Sequence, residues 1–422
     1  MASTFLPLVF NNLPPLIRSH HIWTIIWGVS LLASYPKIFL NKAMKYLLFY
    51  AFFLIIALNT ILSSIDEWNY KTLLTELYQI AIGLSVFTYF IEKKDYIGLA
   101  NLTKWAIVFI IITAVMTIIS SAIDPLYARK IIGVSGVSNE SEIENLITFK
   151  RFGGGGYSTA GAFMCLFPIF IYYYKNIELS IVSKRIIILF SILVFLALTG
   201  MQIFSNLLIA ACFSIIAFLG MKKIKQSIAA IVLFLSILIF VPKEAYVNSL
   251  LFIGSNFTKG SELDLKFKDL AMFIELGSEI EEGGTGAGDR AVRYVELSET
   301  FVQAPILGCY FLPVNNAYGY FDHTINYGEI IQVEGTHLHW MNKLVITGII
   351  GMAIFFFIPF NFIKNNFRRF DQTFKFYYIL ASLSIISYGF FKTVAGRETW
   401  YAFFILIPGL YYLPLLKKEN KD

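Results

Sequence analysis

TKWAIVFIIITAVMTIISSAI, residues 103–123, carries a single charge, Lys104, at its edge. A helix rises 1.5 Å per residue, so about 20 apolar residues cross the hydrocarbon core of a bilayer. Similar runs lie near 22–40, 44–63, 72–92, 157–174, 184–200, 202–219, 226–241, 342–362, 374–394 and 398–416. The composition agrees. Hydrophobic residues make up 57% of the 422-residue chain, and charged residues only 15%, against about 25% in soluble domains. Mean hydropathy is +0.66. A soluble enzyme, a nucleic-acid binder and a disordered scaffold are excluded. The expected fold class is an all-α polytopic membrane protein of about 11–12 transmembrane helices with one long outward loop. Residues 5–17, broken by Pro14 and Pro15, are expected to form a half-span or an interfacial helix rather than a cleaved signal peptide.

Basic residues in short loops set the orientation of such a chain. If loops 124–156 and 242–341 face outward, one side collects Lys37, Lys42, Lys45, Lys93, Lys94, Lys104, Lys175, Lys184 and Arg185. The same side collects Lys222, Lys223, Lys225, Lys364, Arg368, Arg369, Lys375, Lys417, Lys418 and Lys421. An alternation this regular predicts both the span count and the sidedness. The chain divides into helices 1–241, a loop 242–341, and helices with an inward tail over 342–422. The long loop is the one compositional break, with 14 acidic against 6 basic residues. Its apolar stretches 245–254 and 270–276 are expected to rest on the membrane or roof the bundle. Cys165, Cys212 and Cys309 are too scattered for a disulfide framework or a metal cluster.

Charged groups within spans are expensive and usually functional, and the spans read almost free of them at their centres. That argues against proton- or ion-coupled transport. The candidates for chemistry lie instead at the outward ends. In ITFKRFGGGGYSTAGAF, 147–163, Arg151 precedes Gly153, Gly154, Gly155 and Gly156 and then a helix start. Glycines let a backbone approach a ligand closely, and a helix N-terminus suits phosphate; a flexible connector is the plainer alternative. In GDRAVRYVELSETFVQAPILG, 288–308, Arg290 and Arg293 share one helical face in an otherwise acidic loop. Their guanidinium forks suit phosphate oxygens, or pair with Asp289 and Glu296. In THLHWMNKLVITGIIG, 336–351, His337 and His339 precede a span carrying Gly348 and Gly351. Histidine titrates nearest neutral pH and suits removal of a hydroxyl proton. In VAGRETWY, 394–401, Arg397 either joins the site or pairs with Glu398.

Taken in this order, the stretches resemble the O-antigen ligase and polymerase superfamily of bacterial inner-membrane enzymes. Members show an arginine followed fifteen residues on by a P-[LI]-[LIF]-G-[VY]-G element, as Arg290 leads here to Pro305-Ile-Leu-Gly308. They then show H-N, with glycines eleven and fourteen residues after the histidine, as His337 leads to Gly348 and Gly351. Leu338 stands in place of the usual Asn, and Tyr310 in place of the second glycine of the G-x-G element.

The resemblance implies inverting, metal-independent glycosyl transfer from undecaprenyl diphosphate at the periplasmic face, without cofactors. It makes His337 the catalytic base, with His339 as a possible assistant. Arg290 would bind the diphosphate, helped by Arg151, Arg293 and Arg397, with Gly153 to Gly156 giving the donor headgroup room. Fixed arginines aimed at charge that grows on a leaving diphosphate lower the barrier. The implied partners are the undecaprenyl-diphosphate-linked glycan, membrane lipid and a chain-length-regulating co-polymerase, and no nucleic acid. A repeat-unit polymerase is favoured over a ligase that transfers glycan to lipid A–core. The alternative from another class is a lipid-linked oligosaccharide flippase.

Overall fold

The structure is a computed structural model. It describes residues 2–10, 12, 20–37, 41–61, 68–124, 127, 151–201, 204–220, 242–256, 262–276, 294–295, 297–299, 301–302, 304–308, 338–392, 394 and 396–419. Among these residues the regular structure is all helical. In order come α1 (Ala2–Phe5), α2 (Pro7–Phe10), α3 (His20–Ser34), α4 (Lys42–Ile61), α5 (Trp68–Glu92) and α6 (Tyr96–Ile123). Next are α7 (Tyr157–Lys175), α8 (Lys184–Gly200), α9 (Phe204–Leu219), α10 (Lys243–Ser255) and α11 (Glu262–Leu276). The chain ends with α12 (His339–Phe367), α13 (Gln372–Tyr388), α14 (Arg397–Tyr401), a π-helical turn (Ala402–Leu406), α15 (Ile407–Leu410) and α16 (Leu415–Glu419). Helices therefore occupy the apolar segments read from the sequence, except 226–241, which lies outside the described residues. Two of them, α6 and α12, are long and apolar enough to cross a membrane.

Helix α7 is the axis of the packing, in contact with α8, α9, α13 and α14. Its run from Ala160 to Leu166 is suited to this by small residues between large ones. Ala160, Ala162, Phe163, Met164, Cys165 and Leu166 are all fully buried. At Gly161 a side chain would meet Thr399 Oγ1 at 2.7 Å. That closeness lets the Thr399 hydroxyl donate to the Ser158 carbonyl across 3.0 Å. Charged turns start two other helices by one device. The Asp95 carboxylate accepts from the Gly98 N–H, and the Asp371 carboxylate from that of Phe374, each at 2.8 Å. Each cap satisfies an N–H group that the first turn leaves free.

The N-terminal residues are drawn into this bundle. Phe5 is buried, and its carbonyl accepts a 2.7 Å hydrogen bond from Thr113 of α6. In the long loop, α10 and α11 pack on each other as a hairpin, on which Leu251, Phe252, Ile253 and Met272 stay exposed.

One expected span reverses on itself. The sequence predicts an unbroken helix over 342–362, but α12 is interrupted at Gly348, whose φ of 63° and ψ of −173° are not helical. The segment 339–347 folds back on 349–367. Trp340 consequently stands 5.2 Å from Phe356, ring centre to ring centre. In a straight helix those residues lie about 24 Å apart, at 1.5 Å per residue. The break frees N–H groups on the far half, and the chain at 304–308 supplies their acceptors. Ile349 N–H donates to Pro305 O at 2.9 Å, and Ile350 N–H to Ile306 O at 3.1 Å. Gly308 (φ 85°) and Gly348 face each other so closely that a side chain on either would lie 2.5 Å from the other's backbone nitrogen.

Alanine at either glycine should be strongly destabilising, because left-handed strain alone costs about 1–3 kcal/mol and the backbone overlap adds to it. Gly308→Ala and Gly348→Ala are each expected to lower the thermal midpoint in detergent. Gly28→Ala, which has open space around it, should leave the midpoint near that of the native chain.

Candidate functional site

Helix α12 packs on α4, and its folding back brings two side chains of its first turns to Glu76 of α5. His339 and Lys343 are four residues apart on one helical face, and both point at Glu76 of α5. Lys343 Nζ lies 2.6 Å from Glu76 Oε2, and His339 Nε2 lies 3.1 Å from Glu76 Oε1. All three side chains are at most 3% exposed. A carboxylate and an ammonium buried this deeply must be paired and hydrogen-bonded. Lys343 is further held by aromatic faces, 4.3 Å from the Phe355 ring centre and 5.7 Å from that of Tyr50.

The cluster is incompletely satisfied. The His339–Glu76 approach is close enough for charge contact but off the line of a hydrogen bond, and His339 Nδ1 has no partner among the described residues. One turn along α5, Gln79 Oε1 is buried and also without a partner. The imidazole is held edge-on to Trp340, 4.7 Å between ring centres. The indole N–H of Trp340 in turn donates to Ile386 O at 2.7 Å. The residue before His339 is Leu338, in the left-handed region at φ 55°. Asn takes that conformation far more readily than Leu.

The residues singled out from the sequence fall as follows. Arg290, Arg293 and His337 lie outside the described residues. Arg151 is exposed, and its carbonyl accepts from the Asn12 side chain at 3.0 Å. The glycines after it pack against protein. A side chain at Gly153 (φ 79°) would meet the Leu8 backbone nitrogen at 2.4 Å. Gly155 N–H donates to Thr117 Oγ1 at 2.8 Å, and its carbonyl accepts from Tyr127 OH at 3.1 Å. Burial holds the Tyr127 phenol well above its usual range, so it remains a donor. The close approach afforded by these glycines is thus used by α6 and the N-terminal segment. Arg397 stands 3.3 Å from Glu398, which is the simple pairing weighed above, on a helix packed against α5.

Sequence reasoning missed Glu76, Gln79 and Lys343. The spans read as free of central charge, whereas the folded bundle buries a full ion pair. Glu76 and Lys343 fall within five residues of the starts of the runs 72–92 and 342–362, where charges read as boundary residues. Two opposite charges, each just inside an apolar run, were the available signal. No known family, curated protein or solved structure matches the chain.

Removing one partner of a buried pair strands the other, at about 3–5 kcal/mol, whereas replacing both with neutral groups is often tolerated. Glu76→Gln and Lys343→Met should each lower stability by roughly that amount. Glu76→Gln/Lys343→Met together should recover most of it, as read by thermal melting in detergent.

Proposed function

We propose that this chain is a polytopic protein of the bacterial inner membrane that transfers a glycan from undecaprenyl diphosphate to a sugar hydroxyl of another lipid-linked repeat unit. The observation that carries this reading is the docking of Pro305–Gly308 on the break at Gly348. These are two of the elements on which the resemblance to the O-antigen ligase and polymerase superfamily rests, and their backbones meet. The contact gives a physical reason for a glycine in each. It also ties the stretch that follows Arg290 in the sequence to the helix that begins two residues after His337.

The membrane reading is supported by faces that a protein in water would hide. Ile188, Leu189, Ile192, Phe195 and Leu196 of α8 are exposed, as are Leu48, Phe49, Phe52, Ile55 and Ile56 of α4. Apolar surfaces of this kind mark contact with a membrane or a partner protein. In the proposed reaction Arg290, with Arg151, Arg293 and Arg397, steadies the leaving diphosphate. The histidine pair at the entry to α12 takes the acceptor's proton, His337 in the family register and His339 beside it. Attack opposite the diphosphate inverts the anomeric centre, and no metal is invoked.

The decisive assay uses the purified protein in nanodiscs with undecaprenyl-diphosphate-linked repeat units. A ladder of longer lipid-linked glycans is expected, and Arg290→Ala should abolish it. Transfer only after lipid A–core is added would make the chain a ligase. Movement of the substrate between leaflets without any product would make it a flippase. Sidedness is tested in a Cys165→Ala/Cys212→Ala/Cys309→Ala background with a membrane-impermeant maleimide on intact cells, which should label Ser278→Cys but reach Asn365→Cys only after permeabilisation.

A further inference from the structure

Helices α7, α8 and α9 leave a groove of about 420 Å³ between them. Its walls include Phe170, Ile171 and Tyr174 of α7, Ile192 and Phe195 of α8, and Phe218 of α9. Ile192, Phe195 and Phe218 are exposed, so the groove is open to its surroundings. The Ser191 hydroxyl in the same wall is spent within α8, donating to Ile187 O at 2.8 Å. Such walls suit an apolar chain and offer little to a polar ligand.

One end of the groove is cationic. Lys175, the last residue of α7, donates to the Ala217 carbonyl at 3.2 Å and to that of Phe218. Its ammonium stands 5.3 Å from the Phe218 ring centre. Lys184, the first residue of α8, lies 5.3 Å from the Tyr174 ring centre, and Arg185 beside it is exposed. Among the described residues none of these three cations pairs with a carboxylate. α8 therefore starts with two cations and no acid in its first turn, and its N-cap, Ser183, makes no side-chain hydrogen bond there. Positive charge at the positive end of a helix is unfavourable, and an anion offsets it. The rim also lies on the side that collects the basic residues of the short loops, where anionic lipid headgroups are found.

Length confines the guest to one leaflet. The α8 wall runs eight residues, from Ile187 to Phe195, or about 12 Å at 1.5 Å per residue. Half of the hydrocarbon core is roughly 15 Å thick. A chain entering at the rim thus ends short of the bilayer midplane. Other occupants carry the wrong charge. The apolar run 226–241 follows Lys222, Lys223 and Lys225, and a second copy of the chain would bring the same cations to the same rim.

Resting on the membrane reading above, though not on the transferase reading, we propose that this groove binds a single anionic glycerophospholipid of the inner leaflet. One acyl chain lies between α7, α8 and α9, and the phosphate meets Lys184 and Arg185. Lys175 closes the rim by tying the end of α7 to the last carbonyls of α9.

The test is native mass spectrometry of the full chain in detergent with equal amounts of dioleoyl phosphatidylglycerol and dioleoyl phosphatidylcholine. One retained phosphatidylglycerol per chain is expected, preferred by about tenfold or more. Lys184→Gln/Arg185→Gln should bring that preference near equality, while Lys222, Lys223 and Lys225 still hold the orientation. Ser191→Phe puts a ring into the groove and leaves the rim intact, and should remove the retained lipid. A phosphatidylglycerol with a diazirine on its acyl chain should label the native chain within 187–195, and Ser191→Phe should lose that label. Both variants are checked for native melting, and Ser191→Met replaces Ser191→Phe if the latter does not fold. If neither folds, the site of labelling on the native chain decides. No preference in the native chain, a preference unchanged in either folded variant, or labelling confined to other helices overturns the site. Displacement of the phosphatidylglycerol by a lower concentration of undecaprenyl phosphate also overturns it, by making the groove a carrier-lipid site. A chain that alkaline carbonate strips from membranes removes the membrane reading itself, a result distinct from an integral protein without lipid preference.

Discussion

A backbone N–H that leaves its helix inside an apolar bundle has to find another acceptor, because neither apolar side chains nor lipid offer one. Much of the structure around α12 follows from that requirement. The helix can reverse at Gly348 only because Pro305 and Ile306 present carbonyls to Ile349 and Ile350. They can come that close only because residues 308 and 348 both lack a side chain. The reversal in turn brings His339 and Lys343 back to the level of Phe355 and across to α5. One hydrogen-bonding constraint thus determines which side chains meet at the centre.

The ion pair that results is arranged to balance within itself. Glu76 meets two nitrogens through its two oxygens, and Lys343 divides its charge between the carboxylate and an aromatic face. Cation–π contact is strongest where water is excluded. What is left unbalanced is polarity rather than charge. The spare hydrogen-bonding capacity sits on His339, Gln79 and the Glu76 oxygen that faces the imidazole.

The helical segments were legible because a membrane-length apolar run leaves few other structures open to the backbone. α6 is the clearest case, and α8 was read to the residue. The break in α12 was not legible as a break. Gly348 and Gly351 were visible, but a glycine pair in a helix signals close packing as readily as a reversal. Only Gly351 behaves in that way, against Phe53. The glycine run at 153–156 was legible as a place of close approach, though not for what approaches, since Leu8 lies far away in sequence. Glu76 and Lys343 were hidden for a similar reason. Each alone reads as the end of a span, and only the fold shows that the two ends coincide. A histidine two residues from the one the resemblance picks out was noted, but the acid beside it is 263 positions upstream, counted from Glu76 to His339.

The seating of the N-terminal residues also bears on the order of assembly. Phe5 and the threonine that anchors it are 108 positions apart, and Leu8 rests on a glycine made later still. At roughly 5–20 residues per second of synthesis, Phe5 has no partner for about 5–20 s after it leaves the ribosome. The segment made first is therefore among the later ones to find its place. It waits while α3 to α6 are laid down, and closes on the bundle only once the glycine run has followed them.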